Sequence, residues 1–119
     1  MAPTTSYFTV DQLGDVTVVR LSTSARIVSC DNFSVLRDEL LNMLRRTGAK
    51  KVVLNLDNIE YLHSLAIGFL LKLHQVLIQE GGWLRICHVQ PEVKEVLVVT
   101  QASATLDLRT NEESALEES

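Results

Sequence analysis

The chain has 119 residues, of which 46% are hydrophobic, which is enough for one domain with its own core but too short for two. It carries 11 basic and 15 acidic side chains, and four of the acids lie in the final segment NEESALEES. The rest of the chain is therefore neutral, which argues against direct binding of nucleic acid, because that requires an excess of positive charge. It has neither a long uninterrupted apolar run nor a basic, apolar start typical of a secretory signal, which predicts a cytoplasmic protein without a membrane span. We expect a single domain with its core at about residues 7–116 and a short acidic tail over 111–119.

The residues that usually bind metals or carry out catalysis are sparse and scattered. Cys30 and Cys87 are far apart, so a disulfide framework is not indicated. His63, His74 and His88 have no ligand-like spacing, and no CxxC pair, nucleophile–base pair or cofactor fingerprint occurs. The sequence therefore predicts a protein that is not an enzyme and that binds no metal or cofactor.

The chain begins with a predicted β-hairpin. Tyr7–Gln12 and Val16–Leu21 are rich in β-branched and aromatic residues, and Gly14-Asp15 between them is typical of a tight turn. Beyond the hairpin, Arg26–Val28 is interpreted as a short extended piece.

A first amphipathic helix follows. Asp31 or Asn32 is the predicted N-cap, and Gly48 is the predicted stop. The apolar residues between them recur at spacings of three and four, as on one face of a helix: Phe33, Leu36, Leu40, Met43 and Leu44.

The middle of the chain predicts a buried strand followed by a second helix. Lys51–Leu56 is almost entirely Val and Leu, which is typical of a central strand covered on both faces. The second helix is predicted to begin at Ser64 or Ala66 and to end at Glu80, before a Gly-Gly stop. Trp83–Val89 is predicted to be the next strand.

The last third predicts a helix, an edge strand and a short final helix. Pro91 suits the first turn of a helix that reaches about Thr100. Thr105–Leu108 is predicted to be an edge strand, and Asn111 to cap the last helix. The order β-β-α-β-α-β-α-β-α predicts an α/β fold with a mixed central sheet, its middle strands parallel, and about four helices.

Two stretches, VVLNLDNIEYLHSLAIGFLLKL and EGGWLRICHVQPEVKEVLVVT, resemble a STAS domain, the family of sulfate transporters and anti-sigma factor antagonists. The resemblance extends from about Phe8 to Leu116. It implies a non-enzymatic regulatory protein that binds a partner, often a serine kinase acting as an anti-sigma factor, and that is switched off when the kinase phosphorylates a Ser or Thr in the loop before the second helix.

That loop departs from the family pattern Asp-Ser-Ser/Thr-Gly-Leu-Gly, because the aligned residues are His63-Ser64-Leu65-Ala66-Ile67-Gly68. Leu65 occupies the usual phosphoacceptor position and has no oxygen to modify. The chain is therefore expected to lack the standard site, and only Ser64 remains as a phosphorylation candidate. The alternative for Ser64 is a helix N-cap.

Other polar residues around the loop have simpler interpretations than chemistry. His63 is predicted to be a solvent-exposed loop residue and not a ligand or catalyst. Asp57 and Glu60 are predicted to belong to a strand-to-helix turn, although paired carboxylates also serve in acid–base catalysis.

The second helix has more apolar surface than one sheet can cover. One stripe is predicted to face the sheet: Ala66, Phe69, Leu70, Leu73, Val76 and Leu77. A second stripe is expected to be covered either by the first helix or by a partner or second copy: Ile67, Leu71, His74 and Ile78.

The resulting hypothesis is a protein-binding module that contacts its partner through the loop and the second helix. The predicted contact residues are Asn58, Glu60, His63, Ser64, Leu65, Ile67, Gly68 and Leu71. The partner implied by the resemblance is an anti-sigma factor serine kinase, and homodimer formation is left open. The alternative is a non-phosphorylatable STAS subunit of a larger lipid-transport or stress-signalling assembly.

Overall fold

The computed structural model describes residues 8–21, 30–57, 59 and 62–116. Its elements in chain order are β1 (Phe8–Leu13), β2 (Val16–Leu21), α1 (Cys30–Thr47), β3 (Lys51–Asn55), α2 (Ser64–Gln79), β4 (Trp83–Cys87), α3 (Pro91–Val99), a 3₁₀ helix (Ala102–Ala104), β5 (Asp107–Arg109) and α4 (Glu112–Leu116).

The five strands form one mixed sheet in the order β1-β2-β3-β4-β5. β1 and β2 are antiparallel, with Phe8 opposite Leu21 and Leu13 opposite Val16, and Gly14 adopts the left-handed backbone at φ 64° that the turn between them requires. β2, β3, β4 and β5 run parallel to one another. The predicted fold class and the central position of the third strand are confirmed.

The two faces of the sheet carry different helices. Right-handed crossovers between successive parallel strands place α1, α2 and α3 on one face, and a single apolar cluster joins these helices to Val52 and Leu54 of β3. Val53, between them, points to the opposite face and packs in a second cluster with Ala115 of α4. Both faces of β3 are therefore buried.

Several element ends differ from the sequence predictions. β4 ends at Cys87 instead of Val89, because His88 has a left-handed backbone with φ 56° that cannot continue a strand. β5 begins later than predicted, at Asp107, since the 3₁₀ helix precedes it. α1 begins at Cys30, so Asp31 and Asn32 lie in its first turn. The predicted piece Arg26–Val28 lies outside the described residues.

The glycine pair after α2 ends the helix as predicted. Gly81, at φ 86°, donates its N–H to Ile78 O at 3.1 Å, and Gly82 donates to Leu77 O at 2.8 Å, which is the Schellman pattern. Gly82 has a second reason to be glycine, because a Cβ at this position would lie 1.8 Å from the carbonyl oxygen of Lys50. This close approach seats the start of β4 beside β3.

Candidate functional site

The candidate site is the junction between β3 and α2, at the carboxyl edge of the parallel strands. Leu56 continues the ladder by donating its N–H to Cys87 O at 3.0 Å, and Ile59, fully buried, donates to Leu56 O at 2.9 Å. The side-chain oxygen of Asn55 accepts the Asp57 N–H at 2.8 Å. These bonds anchor the beginning of the loop to the sheet.

His63, and not Ser64, caps the amino terminus of α2. Its backbone is extended, with φ −86° and ψ 172°, and its Nδ1 accepts the Ala66 N–H at 3.2 Å. The His63 carbonyl accepts the Ile67 N–H at 3.1 Å. The N-cap interpretation of Ser64 is therefore wrong, because Ser64 is already the first helical residue.

The prediction that His63 is exposed to solvent is also wrong. The residue is only 8% exposed, because its ring packs edge-on against Phe33 of α1 with 5.2 Å between centroids. Phe33 in turn lies 5.7 Å from the ring of Phe69. Since Nδ1 accepts a hydrogen bond, the neutral ring carries its proton on Nε2. Among the residues that the structure describes, that buried atom has no hydrogen-bond partner. His63 thus couples the loop to both helices.

Four of the predicted contact residues form a surface beyond this cap. Ser64 and Gly68 are exposed, Leu71 is half-buried, and Leu65 is 58% exposed. Leu65, Gly68 and Leu71 follow one another at a spacing of three, and Ser64 lies four residues before Gly68, so they are neighbours on α2. We call these four residues, Ser64, Leu65, Gly68 and Leu71, the junction surface.

The other predicted contact residues are not part of this surface. Ile67 is only 8% exposed, because it points toward the main core cluster, so the expectation that it is available to a partner is wrong. His63 is equally buried, at 8% exposed, so it is not available for direct contact with a partner either. Asn58 and Glu60 lie outside the described residues.

The first helix does not cover the second apolar stripe of α2. α1 instead faces the side of the helix that carries Phe69 and Val76, with Phe33 against Phe69. Val76, predicted to face the sheet, is 39% exposed for this reason. On the second stripe, Ile78 is 51% exposed, and His74 lies toward β5.

The position of His74 near β5 is supported by the pKa of Asp107, which belongs to that strand. This pKa lies below its ordinary value chiefly because Arg109 donates a hydrogen bond to this carboxylate, and the charge of His74 contributes a smaller lowering. A charge effect of this kind requires proximity.

A polar network on the opposite face of the sheet fixes the end of β3. Asn55 Nδ2 donates to Glu112 Oε2 at 2.7 Å. Arg20 holds the same carboxylate with two bonds, from Nε at 2.7 Å and from Nη2 at 2.8 Å, and also pairs with Asp11 at 2.6 Å. These hydrogen bonds lower the pKa of Glu112 and raise that of Arg20.

This network was not predicted from the sequence, although one signal was present. Asn55 interrupts an otherwise apolar strand, and a buried amide requires hydrogen-bond partners. Asn111, as predicted, caps α4 by accepting the Ser114 N–H at 2.8 Å. The cap positions Glu112 in the first turn of α4, where its carboxylate accepts the hydrogen bond from Asn55.

The chemistry available around the junction is limited. Burial raises the pKa of the Cys87 thiol to about 12, so it is protonated at neutral pH and is a weak nucleophile. Among the residues that the structure describes, no three His, Cys, Asp or Glu side chains group where they could hold a metal ion. None of the helices in those ranges is both long and apolar enough to cross a bilayer.

The sheet order, the crossover helices and a capped strand–helix junction define a small α/β domain with one mixed sheet. The STAS domain family model matches residues 7–115, and the chain belongs to that family. The anti-sigma F factor antagonist of Paenibacillus polymyxa is 28% identical over 103 residues, covering 87% of this chain and 86% of that protein.

Solved structures share the fold at lower sequence identity. A putative anti-sigma factor antagonist from Thermotoga maritima superposes with a TM-score of 0.78 at 18% identity, covering 89% of each chain. An anti-sigma factor antagonist from Mycobacterium paratuberculosis has a TM-score of 0.77 at 19% identity, covering 92% of this chain and 89% of the other. The predicted STAS resemblance is confirmed.

Proposed function

We propose that this chain is a non-enzymatic regulatory module of the anti-sigma factor antagonist type, which docks a protein partner through the junction surface. The observation that carries the proposal is Leu65, a large apolar side chain that is 58% exposed at the amino terminus of α2. A large apolar side chain held at a helix terminus offers a partner surface whose removal from water is favourable.

The junction surface is suited to recognition because its support is rigid. The contact of the His63 ring with Phe33 ties the start of α2 to α1, and the Asn55–Glu112 bond ties the end of β3 to α4. A preorganised surface loses little conformational entropy on binding. Burying Leu65 fully in a partner contributes up to about 2 kcal/mol, and Gly68, with open space around it, permits close approach.

The proposed partner is a serine kinase of the anti-sigma type, as the STAS resemblance implies, and the named relative is an antagonist of an anti-sigma factor. Such a kinase uses ATP, so the proposed encounter takes place in the cytoplasm. Ser64 is exposed in the first turn of α2, where a phosphate would face free backbone N–H groups and the positive end of the helix dipole. Phosphorylation at Ser64 is accordingly the proposed switch.

The partner test is a binding titration with an anti-sigma-type serine kinase from the same genome. Leu65→Glu and Gly68→Arg place charge and bulk on the junction surface and are expected to weaken binding at least about tenfold. Val98→Glu is the matched control, since Val98 is 53% exposed on α3. Docking through this surface would be refuted if all three variants weakened kinase binding equally, or if none of them weakened it.

The switch has its own test, which is incubation with that kinase and ATP followed by mass spectrometry. A single added phosphate that is absent in Ser64→Ala supports Ser64 as the acceptor. An unmodified chain, or a modification that persists in Ser64→Ala, rejects it without affecting the docking proposal.

A second candidate function follows from Leu65 itself. A side chain without a hydroxyl at the usual acceptor position suits a constitutive STAS subunit of a larger lipid-transport or stress-signalling assembly, or a self-associating chain. Such a subunit is expected to co-purify in fixed stoichiometry with large partners, or with itself. Sedimentation of the natively expressed protein as a free monomer would reject both forms of this alternative.

A further inference from the structure

A groove of about 690 Å³ lies between α1 and α2, within the range of ligand pockets of ~300–1,000 Å³. Its floor is apolar and is formed by Leu44, Leu73 and Leu77. Leu41 and Val76 form part of its walls. This space was not predicted from the sequence, which placed Val76 against the sheet and left open whether α1 or a partner covers the other apolar stripe of α2.

The shape of the groove favours a slender occupant. The floor residues are only 4–6% exposed, so only a thin group can reach the small surface that they leave open. A partner helix, about 10–12 Å across with its side chains, would rest on the rim. An unbranched hydrocarbon chain is thin enough to reach the floor and displace water from apolar surface.

The charge of the rim favours an anion. Arg37, Arg45, Lys50 and Lys72 all line the groove, against one acidic residue, Glu80, although the whole chain has a net charge of −4. Arg37 pairs with its exposed neighbour Asp38 at 3.2 Å. Within the described ranges, none of the other three basic residues forms an ion pair.

Two of these basic residues lie midway along the groove. Phe33 of α1 contacts Phe69 of α2, so Arg37, one turn further along α1, lies level with the next turn of α2, which carries Lys72. A single anionic group between them would interact with both charges while its chain continued along the floor.

We propose that the α1/α2 groove binds a single-chain anionic amphiphile, with its hydrocarbon chain over Leu44, Leu73 and Leu77 and its head group at Arg37 and Lys72. The carboxylate of a fatty acid and the phosphate of a single-chain lipid share this chemistry. The groove lies within one chain, and Leu65 is the residue that it shares with the junction surface.

The experiment is an NMR titration of the isolated protein with dodecanoate, dodecyl phosphate and dodecyltrimethylammonium, each below its micelle concentration. Saturable amide shifts at Leu41, Phe69 and Val76 are expected with both anions, with affinities at least about tenfold above that of the cation. Tighter binding of dodecanoate would indicate a fatty acid, and tighter binding of dodecyl phosphate would indicate a phosphate head group.

Matched variants locate the site. Val76→Trp fills the groove and is expected to abolish saturable binding, whereas Ile78→Trp, on another face of α2, leaves it unchanged. Lys72→Glu is expected to lower anion affinity about threefold to tenfold, and Lys94→Glu, exposed on α3, is its control.

Three results would overturn the proposal. They are an absence of saturable shifts with either anion, equal affinity for the cation, and full binding by Val76→Trp. Because Lys72 is an exposed residue, its variant tests the head-group position even if the tryptophan variant folds poorly.

Discussion

Replacing His63 tests how the junction is built, because the cap and the ring contact can be removed separately. His63→Ala loses a cap bond of about 1 kcal/mol and an edge-to-face contact with Phe33 of about 0.5–1.5 kcal/mol. Removal of the unpartnered Nε2–H offsets part of this loss. The expected net decrease in the free energy of unfolding is therefore about 1–2 kcal/mol.

Two further variants separate the contribution of the cap bond from that of the ring contact. His63→Asn keeps a side-chain acceptor for the cap and loses only the ring contact, so about 1 kcal/mol is expected. Ser64→Ala is expected to change stability by less than about 0.5 kcal/mol, because Ser64 is exposed and does not cap the helix.

Urea unfolding followed by fluorescence of Trp83, the single tryptophan, measures all three variants. Trp83 is half-buried beneath the guanidinium of Arg85, 3.9 Å from its ring centroid, so its emission is expected to change on unfolding. A loss of about 1 kcal/mol in Ser64→Ala, together with no loss in His63→Ala, would refute the assignment of the cap.

Two other predictions concern the support of the junction. Glu112→Gln is expected to lose about 1 kcal/mol at pH 7, because Arg20 is 37% exposed and solvent weakens the pair. The pKa of Glu112 lies below its ordinary 4.5, so its contribution is present above that pH and is lost as the pH falls through the lowered value. The unfolding free energies of the wild type and of the Glu112→Gln variant should therefore converge in acid, and a constant difference would contradict this linkage. Gly82→Ala is expected to destabilise the fold by several kcal/mol through overlap with Lys50 O. Gly68→Ala, in open space on α2, is expected to stabilise the fold by about 0.5–1 kcal/mol. Thermal melts are expected to show a lower melting temperature for Gly82→Ala and a higher one for Gly68→Ala.

Local sequence patterns were sufficient to predict the order of elements. The alternation and runs of apolar residues identified all five strands, and glycine and proline marked the turn at Gly14, the end of α2 at Gly81 and the start of α3 at Pro91. These signals act within a few residues, so they survive in a single sequence.

Two features that the sequence did not predict depend on contacts between distant segments. His63 is buried only because Phe33, on another helix, packs against its ring, and Arg20 and Glu112 bond across 92 positions of sequence. The side of α2 that meets α1 depends on where the sheet places both helices. Periodicity identifies apolar stripes but does not say which neighbour covers each one.

The central claim is that the junction surface docks a protein partner, and amide chemical-shift mapping tests it most directly. The ¹⁵N-labelled chain is titrated with the anti-sigma-type serine kinase from its own genome, and every amide is followed. Docking through this surface predicts that the largest perturbations cluster at Ser64, Leu65, Gly68 and Leu71. Perturbations confined to α4 or to the β1 edge, with the junction surface unchanged, would contradict it.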